Sequence, residues 1–146
     1  MKLRTTTIIQ EFVFPGTPIV VYGTLVDPKK HAAMTGASAT GKVKVGGSFT
    51  AWDGYITGKY IELTKGSRIV CEWTTTEWPA GYPPSQLGLT LTRSKEGTKL
   101  KMVHSKVPSS QAEAYRQGWI DSYWKPLKEY LQAKKRAAPG GKTGPA

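Results

Sequence analysis

At 146 residues, with 38% apolar residues and five Trp and seven Tyr among them, the chain suits one packed domain and excludes disordered, collagen-like and low-complexity architectures. Its lone cysteine, Cys71, excludes an intrachain disulfide. The longest apolar run, Ile19 to Tyr22, falls far short of the roughly 18 residues of a membrane span, and Met1 to Pro15 lacks a signal-peptide core, so a cytoplasmic protein is expected. The net charge of +11 is uneven: residues 1–94 hold ten Lys and Arg against six acids and residues 95–146 eleven against four, and this C-terminal excess is not interleaved with the aromatics that would stack nucleic-acid bases.

In chain order, a strand over Ile8 to Phe14 comes first. Thr17-Pro18 then opens a helix, because proline lacks the N–H that a first helical position leaves unpaired; Ile19, Tyr22 and Val26 share one face, and the helix should stop near Asp27. Asp27-Pro28 repeats the signal for a second short helix, ended by Gly36. From Gly36 to Pro108 the periodicity is two, which predicts antiparallel strands: strand-like Lys42 to Ser48, Ser48 to Trp52, and Tyr55 to Leu63 with a bulge at Gly58. Further strands place Ile69, Cys71 and Trp73 opposite Arg68, Glu72 and Thr74, and Leu87, Leu89 and Leu91 opposite Gly88, Thr90 and Thr92. The last puts Leu100, Met102 and His104 inward with Lys99 and Lys101 outward.

Ser110-Gln111-Ala112-Glu113 reads as a capping box that starts a long helix to about Lys134, with Trp119, Tyr123, Leu127, Tyr130 and Leu131 among its apolar residues. Gly118 permits a close backbone approach. Pro126 removes a hydrogen bond to the Ser122 carbonyl, so a bend is expected there. The domain is drawn over residues 1–136, and the Pro-Gly-rich stretch 137–146 reads as a disordered basic tail. One apolar sheet face needs a cover, and only the long helix is large enough, which gives an α+β sandwich with a long C-terminal helix across a curved antiparallel sheet.

Several motifs fail on inspection. Gly36-Ala37-Ser38-Ala39-Thr40-Gly41-Lys42 matches the start of a phosphate-binding loop, but Val43 stands where a hydroxyl must hold magnesium and the segment follows a helix. His31, His104 and Cys71 lack metal-ligand spacing, so no metal or cofactor is expected. Cys71 on an apolar strand face is structural, and Glu72 and Glu77 make no acid–base pair, which argues against an enzyme. His104 is either a satisfied core histidine or a polar anchor inside a cavity. The tryptophans read as core, except that Trp78 begins a Pro-rich loop where an exposed indole would mark a partner surface.

Gly46-Gly47-Ser48-Phe49, Trp52-Asp53-Gly54-Tyr55-Ile56-Thr57-Gly58, Ile69-Val70-x-x-Trp73, Trp78-Pro79-Ala80-Gly81, Gly97-Thr98-x-Leu100, Val107-Pro108, Arg116-Gln117-Gly118-Trp119 and Tyr123-Trp124-x-x-Leu127-Lys128 occur in one order. From about Thr5 to Leu131 this set resembles the C-terminal domain of the activators of the heat-shock protein 90 ATPase, in the START-like, or SRPBCC, superfamily. The resemblance implies a helix-grip fold of six to seven strands, with two short helices after the first strand. It also implies a non-enzymatic, stress-related co-chaperone whose partner is heat-shock protein 90. Full members carry a further N-terminal domain that supplies much of the grip on the chaperone; this sequence holds no counterpart, so weaker stimulation is expected. The alternative is a START-like binder of a hydrophobic small molecule. Trp73, Met102, His104, Trp119 and Tyr123 are candidate cavity-lining residues, and Trp78, Lys99 and Lys101 a candidate partner surface. A cavity of roughly 300 Å³ or more favours the ligand.

Overall fold

The computed structural model describes residues 3–137. Strand β1 (Thr5–Phe14) leads into helices α1 (Pro18–Val26) and α2 (Pro28–Thr35). Strands β2 (Thr40–Gly41), β3 (Ser48–Ala51), β4 (Ile56–Thr64), β5 (Arg68–Thr75), β6 (Ser85–Ser94) and β7 (Gly97–Pro108) follow, and then helices α3 (Ala112–Trp119) and α4 (Lys125–Ala137). The strands form one antiparallel sheet in the order β1-β7-β6-β5-β4-β3-β2, so the first strand closes onto the last. This is the expected α+β helix-grip arrangement. Residues 138–146 of the basic tail lie outside the described residues.

Alternation decides which sheet face the helices cover. Ile69, Cys71 and Trp73 of β5, Leu87, Leu89 and Leu91 of β6, and Leu100, Met102 and His104 of β7 are all buried. Trp119, Tyr123, Trp124, Leu127 and Leu131 meet them from the helical side and complete one core. Gln10 of β1 ties the two layers together. Its side chain donates to the Arg116 carbonyl at 3.0 Å and accepts the Trp124 indole N–H at 2.8 Å.

The C-terminal helix is not continuous. Pro108 (φ −53°) turns the chain as soon as β7 ends, and a 3₁₀ turn over Ser109–Gln111 precedes α3. The capping box is therefore absent: no side chain caps α3, and Glu113 pairs with Arg116 at 3.5 Å instead. Between α3 and α4 lies a π-helical turn, Ile120–Trp124, where the interruption near Ser122 was expected. Pro126 has no N–H to offer the Ser122 carbonyl, and the wider turn absorbs that loss. The extra residue brings both Tyr123 and Trp124 inward, where a regular helix turns one of them away.

Other local expectations need correction. Ile19 is 45% exposed, and α1 instead buries Val21, Tyr22, Thr24 and Val26. Asp27 caps α2 through the Lys29 N–H at 3.0 Å, whereas the Thr17 side chain caps nothing. Residues 42–47 form no strand, since the Lys44 N–H bonds to the Lys42 carbonyl and the Gly47 N–H to the Lys44 carbonyl, folding the segment onto itself. The β4 irregularity falls between Tyr60 and Glu62, two residues beyond Gly58.

Gly58 serves a different purpose, because a Cβ there would collide with the Glu72 carbonyl and the Phe49 ring. Gly118 is the reverse: a Cβ would meet nothing within 4 Å, so no close approach requires it. Gly58→Ala should therefore cost about 1–3 kcal/mol through overpacking, while Gly118→Ala should stabilise by about 0.5–1 kcal/mol through helix entropy. Urea midpoints of the two variants check the contrast.

Candidate functional site

His104 is fully buried, and its two ring nitrogens are both satisfied. The Trp119 indole N–H donates to Nδ1 at 3.1 Å, which makes Nε2 the protonated nitrogen; it donates to Ser85 Oγ at 2.8 Å. The Ser85 hydroxyl then donates to the Trp73 carbonyl at 2.6 Å. Burial lowers the imidazole pKa to about 3, so the ring is neutral. A second, half-buried imidazole, His31 of α2, holds the Leu25 carbonyl at 2.9 Å and receives the Tyr123 hydroxyl at 3.0 Å. Burial lowers its pKa as well.

Between α3 and the β4–β5 end of the sheet lies a cavity of about 540 Å³. From the sheet side it is walled by Trp52, Tyr55, Ile56 and Trp73, with Glu77 just past β5. From the helical side Gln111, Tyr115, Trp119 and Tyr123 face it at helical spacing, interleaved with the small residues Ala114, Gly118 and Ser122. That small-residue stripe, repeating every four positions, leaves the space over the sheet unfilled. A separate cavity of about 60 Å³ lies alongside, and Trp119 and Tyr123 border both.

The rim is tied by a closed hydrogen-bond circuit. The Glu77 N–H donates to Thr75 Oγ1 at 3.2 Å, that hydroxyl lies 2.7 Å from the Tyr115 hydroxyl, and Tyr115 donates to Gln111 Oε1 at 2.8 Å. Gln111 Nε2 returns to the Glu77 carbonyl at 2.7 Å. The Glu77 carboxylate accepts the Tyr55 hydroxyl at 2.5 Å, and burial with this bond pushes the phenol up to about 12. Trp52 and Asp53 hold positive φ (54° and 59°) in the β3–β4 turn, secured where Asp53 accepts the Ser38 N–H at 2.8 Å. The Trp52 indole nitrogen is buried without a partner.

Of the residues expected to line a cavity, Trp73, Trp119 and Tyr123 border the large one, while Met102 and His104 are fully buried and border neither. Trp78 is half-buried: its ring stacks on Tyr115 at 6.1 Å and its N–H donates to the Pro83 carbonyl. Lys99 and Lys101 are exposed, Lys99 pairing with Glu11 at 3.4 Å. Sequence reasoning missed Trp52, Tyr55, Glu77, Gln111 and Tyr115. The Ala114, Gly118, Ser122 spacing was a readable signal for the helical wall; no sequence signal brings Glu77 to Tyr55. Burial pushes the Cys71 thiol up to about 12, which leaves it unreactive. Around residues 40–48 the N–H groups of Lys42, Lys44, Gly46 and Gly47 already bond to carbonyls, so no phosphate cradle forms.

Trp119→Ala should cost about 3–5 kcal/mol in urea unfolding, since it opens a void and orphans the imidazole. The fold holds His104 neutral, whereas the unfolded chain protonates histidine near about 6.5. Stability is thus whole above that pH and falls as the pH drops toward 3. His104→Phe should flatten the fall in urea midpoint between about pH 6.5 and 4, leaving the smaller part due to His31.

Comparison with known proteins bears on this architecture. A family profile described as activator of Hsp90 ATPase homolog 1-like protein matches residues 16–132. The human activator of 90 kDa heat shock protein ATPase homolog 1 is 29% identical over 129 residues, covering 88% of this chain and 38% of that protein. An uncharacterized Schizosaccharomyces pombe protein is 27% identical over 126 residues, 86% of this chain and 37% of its own length. The chain thus spans under two-fifths of the length of these curated relatives. Among solved structures, an HSP90 activator from Plasmodium falciparum superposes with a TM-score of 0.74 at 25% identity, covering 88% of this chain and 96% of that one. The Aha1 dimer from Colwellia psychrerythraea gives 0.76 at 15% identity, over 89% and 98%, and so speaks to the fold alone. With more than half its length matched by the profile and the same architecture in its neighbours, the chain belongs to the family of activator of Hsp90 ATPase homolog 1-like proteins.

Proposed function

We propose that this protein is a non-enzymatic, cytoplasmic co-chaperone that contacts heat-shock protein 90 and stimulates its ATPase. The observation that carries the reading is the family match across residues 16–132. The uncovered face of the β1–β7 pair has features that would suit such a contact. There Ile9 lies opposite Val103, Glu11 opposite Lys101, and Val13 opposite Lys99. Ile9 (57% exposed), Val13 (42%) and Val103 (38%) present apolar area beside the two lysines. A mixed apolar and basic patch suits an acidic protein surface, with charge setting the encounter rate and apolar contact the lifetime.

A second reading, a binder of a hydrophobic small molecule, is favoured by one observation: the cavity of about 540 Å³ is large enough for a ligand. It uses the opposite face of the sheet, so the two readings do not compete for residues.

Mixing the protein with purified heat-shock protein 90 tests the first reading. Binding near micromolar, about −8 kcal/mol, is expected with modest ATPase stimulation. It should weaken from low salt to physiological ionic strength, where the Debye length is about 8 Å. The Lys99→Glu/Lys101→Glu double variant should bind several-fold more weakly without a change in melting temperature. No binding at low salt removes the co-chaperone reading.

A further inference from the structure

The large cavity joins two features that a pocket for neutral apolar molecules does not require. Six aromatic side chains wall it: Trp52, Tyr55, Trp73, Tyr115, Trp119 and Tyr123. The single charged residue on its lining is Glu77. That carboxylate takes the Tyr55 hydroxyl and has no ion pair among the described residues, while the hydrogen-bond circuit through Thr75, Tyr115 and Gln111 fixes its main chain. It is a positioned group.

The sign of this arrangement runs against the rest of the molecule, whose 21 Lys and Arg outnumber ten acids. Ring faces carry the negative lobe of the aromatic quadrupole, so a ring that turns its face to a cation adds to the attraction of a carboxylate. An anion is repelled by both, and a neutral ligand gains nothing from Glu77. A cation gains from both, provided that it is weakly hydrated enough to leave water for an aromatic wall. An alkylated ammonium meets that condition, whereas a primary ammonium is strongly hydrated.

Resting on the reading of the cavity as a small-molecule site, we propose that its ligand is an apolar organic cation, an alkylated ammonium seated against Glu77 with its apolar body along Trp52, Tyr55 and the Ala114, Gly118, Ser122 stripe. The long-range field of a protein of net charge +11 opposes cation uptake, so selectivity for a cation reports the local site and not general attraction.

The test compares three probes of one shape: benzyltrimethylammonium, the neutral isostere neopentylbenzene, and the anion benzylsulfonate. Calorimetry and the ¹H–¹⁵N indole resonances of the full chain provide the readouts. The cation should bind about tenfold more tightly than the neutral isostere. It should shift the Trp52, Trp73 and Trp119 indole signals, and the anion should not bind. Glu77→Gln keeps an acceptor for Tyr55 but removes the charge, and should bring cation and neutral probe to near parity. Tyr55→Phe keeps the charge and the ring and should retain the preference, which serves if the first variant folds poorly. Equal binding of cation and neutral isostere by the wild type, tighter binding of the anion, or a cation preference that survives Glu77→Gln overturns the proposal while leaving the cavity a ligand site. If no probe moves an indole resonance, the small-molecule reading falls with it.

Discussion

Where α3 crosses the sheet, the indole N–H of Trp119 meets the imidazole of His104, and through Ser85 that contact reaches the backbone of Trp73. One chain of hydrogen bonds thus joins a helix to three adjacent strands. Its strictness comes from burial: an imidazole with no solvent access is costly unless each nitrogen is paired, and only one helix register supplies the indole. Aromatic contacts enforce the same register. The Trp73 and His104 ring centroids lie 4.7 Å apart edge to face, and Trp119 stacks on Trp124 at 5.4 Å.

The cavity is a consequence of that fixed register. Trp119 is held at the sheet, and the circuit through Glu77 holds the start of α3 against the turn after β5. Along this helix Ala114, Gly118 and Ser122 border the cavity, and small side chains cannot fill the gap. The π turn then drives Tyr123 and Trp124 inward together, so that the helix packs densely beyond the cavity. Space at one end and dense aromatic packing at the other follow from one helix pinned at two points.

Charge is arranged by face. The outer surface of β1 and β7 carries Lys99 and Lys101 beside exposed aliphatic residues, whereas the covered face holds aromatic rings, with the exposed carboxylate of Glu77 beside the cavity. Protein contact and ligand capture make different electrostatic demands, and here they fall on opposite sides of one sheet. A substitution on either side should leave the other unaffected, because distant sites without shared partners act nearly independently.

Much of the fold is written in local pattern. Strict alternation along 69–73, 87–91 and 100–104 assigns the sheet faces, since neighbouring side chains on a strand must point oppositely, and the prolines at 18 and 28 mark the two helix starts. Burial of His104 and Trp119 follows from those faces, and so does the order of elements that the family shares. The sequence could not show that His104 would be satisfied from both sides, because Ser85 and Trp119 reach it only after strand pairing and helix docking. The capping box at Ser110 was misleading for a related reason: the corner at Pro108 starts a 3₁₀ turn before any cap can form. Glu77 is the clearest case. In the sequence it is one exposed turn acid, and only the approach of Tyr55 from the β3–β4 turn and Gln111 from the 3₁₀ turn before α3 makes it the charged group of an aromatic cavity. Periodicity is a property of neighbours along the chain, whereas a site belongs to residues that only packing brings together.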